Sequence, residues 1–162
     1  MKCDKKTMLL YAVTDRAWVG RQSLYEQVEC ALKGGATCVQ VREKKLGDED
    51  FLEEAKQIAA LCKRYGVPLF INDNVDVAIA CGAEGVHVGQ EDMAAAKVRE
   101  KAICDAVDIP VVAIGGLNKS NILELSGTGV DGVALVSAIF SAEDIESECR
   151  ELRALSEKMV NA

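Results

Sequence analysis

The sequence has little of what would place it in a membrane, on nucleic acid or among disordered proteins. Only 4% of its 162 residues are aromatic, two are proline, and no apolar run approaches the roughly 20 residues of a membrane span. The N-terminal MKCDKKTMLL lacks the long apolar core of a signal peptide. The net charge of −7 argues against a nucleic-acid partner, because backbone binding requires clustered Lys and Arg. Since nearly half of the residues are apolar, we expect residues 1–162 to form one packed cytoplasmic domain.

The seven cysteines lack the spacing of a metal or disulfide site. No Cys-x-x-Cys occurs, no cysteine has a histidine at the spacing of a zinc ligand, and the number of cysteines is odd. We therefore predict that the cysteines are small buried hydrophobic residues in a reducing compartment.

Three stretches align with one another without gaps and indicate a repeated unit. They are GATCVQVRE (35–43), GAEGVHVGQ (82–90) and GVDGVALVS (129–137). Each begins with Gly, continues with apolar residues and ends polar, as is typical of strands covered on both faces in a parallel sheet. LLYAVTD (9–15), PLFIND (68–73) and PVVAIGG (110–116) follow the same pattern, so six strands are predicted.

Helix patterns separate the predicted strands. Ser23-Leu-Tyr-Glu26 is a capping box that begins one helix, and Asp48 can cap the next. Shorter helices are expected after Asn74 and Asn118, and Ser141-Ala-Glu-Asp144 begins the last one. Strand and helix thus alternate, which predicts an α/β fold with a parallel sheet and a site at the carboxyl ends of its strands.

Six strand–helix units fit two architectures. A closed (β/α) barrel ordinarily has eight units, whereas an open doubly wound sheet commonly has five or six. The pattern alone does not separate a TIM-barrel-like fold with six units from an open sheet. A dinucleotide-binding sheet would carry Gly-x-Gly-x-x-Gly after its first strand, but LLYAVTDRAW contains no glycine, which disfavours that version.

Cations and carboxylates recur where the predicted strands end. In chain order these groups are Thr14-Asp15, Gln40 to Lys44, Asn72-Asp73, Gln90 to Asp92, Gly115-Gly116 and Val136-Ser137. A Mg²⁺ ion explains this mixture in an acidic protein, because Mg²⁺ prefers one or two carboxylates together with substrate phosphate oxygens. Arg and Lys would neutralise the remaining phosphate charge. The backbone N–H groups of Gly115, Gly116 and Ser137 would bind a second phosphate.

Each of these features alone has a simpler structural interpretation. Asp73 and Asn74 can cap the short helix that follows them, and Asp92 can cap the next helix. The charges from Arg42 to Lys45 can be a solvated run, and His87, the only histidine, is expected in the core. The coincidence of all these groups at successive strand ends favours a functional site.

Six segments together carry a family resemblance. They are YAVTD, CVQVREK, FINDNVDVA, GVHVGQEDM, VVAIGG and GVALVSAIF. In that order along the chain they resemble thiamine-phosphate synthases, and the combination of QVREK with IND and HVGQED is specific. The resemblance implies a (β/α)₈ barrel that joins hydroxymethylpyrimidine diphosphate to a thiazole phosphate, releasing diphosphate and forming thiamine phosphate.

The resemblance also implies roles for the matching residues. The pyrimidine diphosphate would be held by Gln40, Val41, Arg42, Glu43, Lys44 and Asn72. The thiazole phosphate would be received by Gly116, Val136 and Ser137, beside Gly115. Asp73 and Asp92 would bind Mg²⁺, and Arg42 and Lys44 would be the catalytic cations. In the implied reaction the diphosphate departs and the thiazole nitrogen captures a pyrimidine-methyl cation, so no protein nucleophile is required.

The chain departs from the family between HVGQEDM and VVAIGG. The fifth and sixth strand–helix units of the family are missing, and AAAKVREKAICDAVDIP leaves room for one helix joined near residues 99–101. In the family, the missing loops carry a Ser, a Thr-rich turn and a Lys that contacts the diphosphate. Their loss is expected to cost a factor of about 10² to 10⁴ in rate, by analogy with other donors to a developing charge.

Three explanations of this contraction stay open: a deleted enzyme of low or no activity, a chain that completes its barrel as a homo-oligomer, and a divergent paralogue. Two further functions are also compatible with the sequence, namely a non-catalytic phosphate-ligand binding protein and a thiazole tautomerase of the same fold. The retained Asp73 and Asp92 argue against the tautomerase, which needs an acid/base residue rather than a pair of metal ligands.

Overall fold

Six short strands form a single sheet in the part of the chain that the structure describes. The computed structural model describes residues 5–20, 22–87 and 111–162. The strands are β1 (Leu10–Val13), β2 (Cys38–Val41), β3 (Leu69–Asn72), β4 (Gly85–His87), β5 (Val112–Ile114) and β6 (Gly132–Leu135). All neighbouring strands run parallel. Each strand lies within one of the six predicted runs, which confirms those predictions.

Helices follow the strands, as the alternating pattern predicted. The α-helices of the described residues are α1 (Leu24–Lys33), α2 (Asp48–Tyr65), α3 (Val75–Cys81), α4 (Ser137–Phe140) and α5 (Ile145–Val160). Short 3-10 turns cover Arg16–Trp18 and Ile122–Leu125. Across the described ranges, no helix has both the length and the apolar character needed to span a membrane.

The helix ends show which capping predictions hold. The Ser23 hydroxyl accepts a hydrogen bond from the Glu26 amide, and the Glu26 carboxylate accepts one from the Ser23 amide, so the predicted capping box is confirmed. Asp144 caps α5 through the Ser147 amide. Asp48, in contrast, is the first residue of α2 rather than its cap, because Gly47 holds the cap position.

The order of the strands distinguishes the two architectures. In the sheet the order is β4-β3-β2-β1-β6-β5, so every strand neighbours the next one in the chain except β4 and β5. The last strand lies beside the first, as in a barrel, whereas a doubly wound sheet would place a middle strand there. The described strands therefore form a curled half-barrel, and the fold is TIM-barrel-like.

The two faces of the sheet support the same conclusion. Leu10 and Ala12 of β1 belong to a large core that also contains buried residues of α1, α2, α3, α4 and α5. Tyr11 and Val13 alternate with them and join a smaller cluster with Met8, Cys38 and Ala134, in which no residue comes from a helix. The five helices of the described ranges thus pack against one face, as in a barrel, rather than against both faces.

The cysteines behave largely as small hydrophobic residues. Cys38, Cys62 and Cys149 are buried, as predicted, while Cys30 and Cys81 are half-buried. Burial raises the pKa of the Cys62 and Cys149 thiols to about 12, so they are protonated and unreactive at neutral pH. The remaining two cysteines lie outside the described residues.

The first residue of β6 must be glycine for the strand to lie against β1. A Cβ atom added to Gly132 would stand 1.9 Å from the Met8 carbonyl oxygen, which is backbone and cannot rotate away. We expect Gly132→Ala to lower the free energy of unfolding by about 3 kcal/mol, the upper range for an overpacked site. Gly20→Ala is the control, because a Cβ there meets no atom within 4 Å. Urea unfolding measures both variants, and equal midpoints would contradict this packing.

Candidate active site

The polar residues predicted at the ends of β1, β2 and β3 lie together at one edge of the sheet. In the parallel register Val13 lies opposite Gln40, and Gln40 lies opposite Phe70, two residues before Asn72. The Thr14 amide continues this pairing by donating to the Gln40 carbonyl at 2.9 Å. Parallel pairing therefore gathers residues 14–16, 40–44 and 72–73 into one rim, here called the β1–β3 rim.

Two side-chain hydrogen bonds connect the concave face of the sheet to this rim. Gln40 Nε2 donates to Asn72 Oδ1 at 2.8 Å, and both side chains are buried. Asn72 Nδ2 in turn donates to Asp73 Oδ2 at 2.6 Å. Since the Asn72 amide is held from both sides, the Asp73 carboxylate has a defined orientation at the exposed end of the chain of bonds.

Asp73 has an uncommon backbone conformation. Its φ of 63° makes it the one non-glycine residue with positive φ in the described ranges. The Asp73 amide donates to the His87 carbonyl at 2.8 Å, which ties the end of β3 to the end of β4. Asn74, not Asp73, caps α3, because its Oδ1 accepts from the Val77 amide at 2.9 Å. The Asp73 carboxylate is exposed and does not cap the helix. Non-glycine residues held at positive φ, as Asp73 is, cluster at functional sites.

Arg42 is held at the rim from two sides. Its guanidinium donates to Asp15 Oδ2 at 3.0 Å, and its amide donates to the Thr14 hydroxyl at 3.1 Å. The ion pair is half-exposed on both partners, so an anionic ligand could reach the Arg42 guanidinium. Lys44, two residues later, is exposed. These two cations are the predicted catalytic pair, and they lie on the same loop.

The other members of the QVREK segment face inward. Val41 is fully buried in the large core, so only its backbone is available to a ligand. Glu43 accepts hydrogen bonds from the Arg16 guanidinium and from the amides of Lys45 and Leu46. Burial raises the pKa of the Glu43 carboxyl, but these hydrogen bonds together outweigh burial and bring the net pKa below its usual value. Glu43 is therefore an ionised group that organises the loop.

The predicted phosphate-binding residues lie at the ends of β5 and β6. Gly115 and Gly116 have φ values of 117° and 62°, and a Cβ on either would meet no atom within 4 Å. The Gly116 carbonyl accepts from Asn121 Nδ2 at 3.1 Å, which holds the turn. Val136 occupies the N-cap position of the short helix α4 without a side-chain hydrogen bond, and Ser137, the first residue of the helix, is exposed. Because β5 pairs with β6, these turns are neighbours on a second rim, the β5–β6 rim.

The predicted Mg²⁺ site lies only partly within the described residues. Asp92, the second predicted Mg²⁺ ligand, lies outside the described residues. Within the described ranges no three His, Cys, Asp or Glu side chains form a metal-binding group.

His87 is exposed at the end of β4, so the expectation that it lies in the core is wrong. The alternating pattern of β4 places it on the concave face with Gly85.

Comparisons with known proteins agree on one family. The family model described as thiamine monophosphate synthase matches residues 10–102 and 100–139. The thiamine-phosphate synthase of Ruminiclostridium cellulolyticum is 38% identical over 194 aligned positions, which cover 88% of this chain and 92% of the relative. The chain belongs to the thiamine monophosphate synthase family. Since 194 positions exceed the 162 residues of the chain, the relative has residues without a counterpart here.

Two further comparisons, one with a longer relative and one with a solved structure, point to the same family. A rice protein named probable thiamine biosynthetic bifunctional enzyme, chloroplastic, is 38% identical over 206 positions, covering 91% of this chain. This chain spans only 37% of that longer relative. A solved thiamine phosphate pyrophosphorylase from Pyrococcus furiosus is 32% identical, with a TM-score of 0.85, covering 96% of this chain and 98% of that one.

Sequence reasoning missed two residues that help to build the site of this family member. Arg16 contacts Glu43, which is 27 positions away, and Glu54, which is 38 positions away. No local pattern indicates either contact, because both depend on the parallel pairing of β1 with β2 and on the packing of α2. Asp15 and Arg42, in contrast, are both predicted at strand ends, and only the ion pair between them is not.

The buried bond between Gln40 and Asn72 gives a testable prediction. Asn72→Leu removes the acceptor of a buried Gln40 donor, so we expect a loss of about 1–3 kcal/mol in the free energy of unfolding. Gln40→Leu/Asn72→Leu removes both polar partners, and its loss should be smaller than the sum of the two single losses. A double-mutant cycle from urea unfolding measures the coupling. Losses that add to within about 0.5 kcal/mol would show that the bond contributes nothing.

The lowered pKa of Glu43 predicts a pH dependence. A carboxyl whose pKa is lower in the folded than in the unfolded protein stabilises the fold above its ordinary value of 4.5. This stabilisation is lost as the pH falls through the lowered pKa. The difference in unfolding free energy between wild type and Glu43→Gln should therefore be largest at neutral pH and disappear once the pH falls below the lowered pKa of Glu43. Glu53→Gln, at an exposed position of α2, is the control, and a pH-independent Glu43→Gln difference would contradict the assignment.

Proposed function

We propose that this chain is a thiamine-phosphate synthase that joins hydroxymethylpyrimidine diphosphate to a thiazole phosphate. The main support for this proposal is the arrangement of charged groups at the β1–β3 rim, in a chain that belongs to the family. There, one chain of hydrogen bonds ends at the Asp73 carboxylate, and the next loop presents the Arg42 and Lys44 cations. A carboxylate beside two cations is suited to a diphosphate bound together with a divalent cation.

The pyrimidine diphosphate is assigned to the β1–β3 rim. The Gln40 and Asn72 amides lie on the buried concave side, where a neutral ring can exchange hydrogen bonds with them. Arg42 lies further out, in a half-exposed ion pair that diphosphate oxygens can compete for. Lys44 is exposed on the same loop and can approach the diphosphate as a second cation. Val41 and Glu43 contribute through the backbone and the loop rather than through their side chains.

The rim fits the Mg²⁺ ion that the family implies. Asp73 Oδ2 accepts a hydrogen bond from Asn72. Among the described residues of the rim, none donates to Asp73 Oδ1, which leaves that oxygen available to a metal ion. Asp73, with Asp92 from the segment outside the described residues, would hold the ion together with diphosphate oxygens. Such a site needs only one or two protein carboxylates, since Mg²⁺ keeps several waters and binds substrate phosphates. When bound, Mg²⁺ supplies positive charge to the departing diphosphate.

The β5–β6 rim is assigned to the thiazole phosphate. Gly115 and Gly116 expose backbone without side-chain obstruction, and the turn before Ser137 adds a hydroxyl and further N–H groups. Both rims adjoin β1, because β1 pairs with β2 on one side and with β6 on the other. The two substrates would thus meet over the end of β1.

The protein contributes mainly electrostatic stabilisation to this reaction. The bond between the pyrimidine methylene and the diphosphate oxygen breaks, and the electron pair leaves with the diphosphate. Arg42 and Lys44 stabilise the growing charge on that leaving group. The thiazole nitrogen then donates its electron pair to the methylene carbon and forms thiamine phosphate. No side chain needs to act as a nucleophile.

We also propose that this chain lacks two strand–helix units of its family. The family model matches in two segments that meet at residues 100–102, where the sequence predicted the junction. In the described sheet, β4 and β5 are the edge strands on either side of that junction. We expect this contraction to lower the rate. We further propose that the chain completes its barrel as a homo-oligomer. We also propose a cytoplasmic location.

The first test is the formation of thiamine phosphate from the two proposed substrates, with Mg²⁺ and with EDTA. We expect product only with Mg²⁺ and a loss of at least about 100-fold for Asp73→Asn, the scale of one lost charge-stabilising group. Asn tolerates the left-handed backbone at position 73, so this variant tests the charge rather than the fold. Asp76→Asn makes the same change at an exposed position of α3 and should leave the rate unchanged.

The outcomes separate the candidate functions. Product that does not depend on Mg²⁺, or an unchanged Asp73→Asn rate, would contradict the proposed role of the β1–β3 rim. Saturable binding of thiamine phosphate by a cooperatively melting protein that forms no product would instead favour the non-catalytic binding protein. Size-exclusion chromatography of the same sample measures the oligomeric state.

A further inference from the structure

Two ion pairs join the loop after β1 to the loop after β2, and they differ in exposure. Asp15 pairs with Arg42, and the side chains are 31% and 34% exposed. The following residues of the same two loops, Arg16 and Glu43, form the second pair, in which Glu43 is only 2% exposed. Both partners of the first pair are open to a ligand, whereas in the second only Arg16, at 26% exposed, reaches solvent.

Arg16 connects three elements of the fold. Its Nε donates to Glu43 in the β2–α2 loop, and its terminal nitrogen donates to Glu54 Oε2 in α2 at 2.5 Å. A guanidinium presents donors along two directions of one plane, which allows it to bridge two carboxylates. Arg16 itself belongs to the 3-10 turn after β1. The group formed by Arg16, Glu43 and Glu54 is here called the Arg16 clasp.

Glu43 passes this constraint on to the loop backbone. One of its carboxylate oxygens accepts from Arg16, and the other accepts from the Lys45 and Leu46 amides at 2.5 and 3.1 Å. With both oxygens occupied and the side chain buried, Glu43 has no group available for a phosphate, which its negative charge would also repel. Its neighbours Arg42 and Lys44, however, are the exposed cations of the rim.

We propose that Arg16 is a positioning residue that, through Glu43 and Glu54, holds residues 42–47 so that Arg42 and Lys44 meet the diphosphate. This inference rests on the proposed function and deepens it. Burial lowers the pKa of Arg16, but its bonds to Glu43 and Glu54 raise it above the usual value overall. The pKa of Glu43 is lowered, so the pair keeps both charges at neutral pH. Misplacement of catalytic cations by about 1 Å can cost about 100-fold in rate, which makes such a clasp consequential.

The test compares Arg16→Met, Arg16→Lys and wild type, with Arg153→Met as the matched control. Arg153 is similarly exposed and also combines an ion pair, with Glu157, with a further bond, to the Gly35 carbonyl, but it lies on α5 away from both rims. Hydrogen exchange of the ligand-free protein reports the Lys45 and Leu46 amides. Steady-state kinetics report kcat/KM for each substrate separately.

Arg16→Met should speed exchange at Lys45 and Leu46 and lower kcat/KM for the pyrimidine diphosphate by about 10- to 100-fold. The kcat/KM for the thiazole phosphate should fall by less, whereas a general loss of folded protein would lower both kcat/KM values by the same factor. Arg16→Lys keeps the charge but not the fork, so it should recover part of the loss. Arg153→Met should match wild type in both readouts.

The exchange measurement keeps this inference separate from the proposed function. If wild type forms no thiamine phosphate, the proposed function fails, while selective exchange at Lys45 and Leu46 in Arg16→Met still supports the clasp. Unchanged exchange at these amides overturns the clasp. Faster exchange with an unchanged kcat/KM for the pyrimidine diphosphate, or equal losses for both substrates, overturns the positioning role.

Discussion

Parallel pairing of β1 with both β2 and β6 is the constraint on which the site depends. Because the strands run in the same direction, every loop that leaves a carboxyl end emerges on the same side of the sheet. Residues as distant in sequence as Thr14, Gln40 and Asn72 are thereby brought within hydrogen-bonding distance of one another or of a shared neighbour. Because β1 of the first rim pairs directly with β6 of the second, the two rims are neighbours, which allows two substrates to be bound side by side.

The electrostatics of the β1–β3 rim explain how an acidic chain can attract a diphosphate. Two ion pairs join the loops of this rim, Arg42 with Asp15 and Arg16 with Glu43, and they differ in exposure. Arg42 and Asp15 are half-exposed, so their attraction is screened by water and can be replaced by a phosphate. Glu43 is buried with three donors, so separating it from Arg16 would leave a costly, poorly solvated charge. A phosphate can therefore replace Asp15 as the partner of Arg42, while the Arg16–Glu43 pair stays in place.

The sequence predicted the strands well because each is an apolar run that ends in polar residues. It also found the Ser23 capping box and the Asp73 and Arg42 positions, since these are local signals. The strand–helix pattern alone could not separate barrel from open sheet, because that choice depends on which strands pair, and pairing is set by contacts between distant residues. The partners of Glu43 were missed for the same reason. The family resemblance implied the barrel, and the strand order confirms a TIM-barrel-like fold. His87 was misjudged because an apolar sequence context does not reveal whether the facing strands cover a residue.

The proposed contraction removes the wall between the rims rather than the rims themselves. The described strands that carry the diphosphate loop and the phosphate turns are β1, β2, β3, β5 and β6, and all of them are paired. What a loss of the fifth and sixth family units would take away is the cover over the leaving group and the donors on that side. Water could then reach the developing charge and weaken the electrostatic stabilisation by Arg42 and Lys44. A contracted member of this family would thus lose more of its catalytic rate than of its affinity for the substrates.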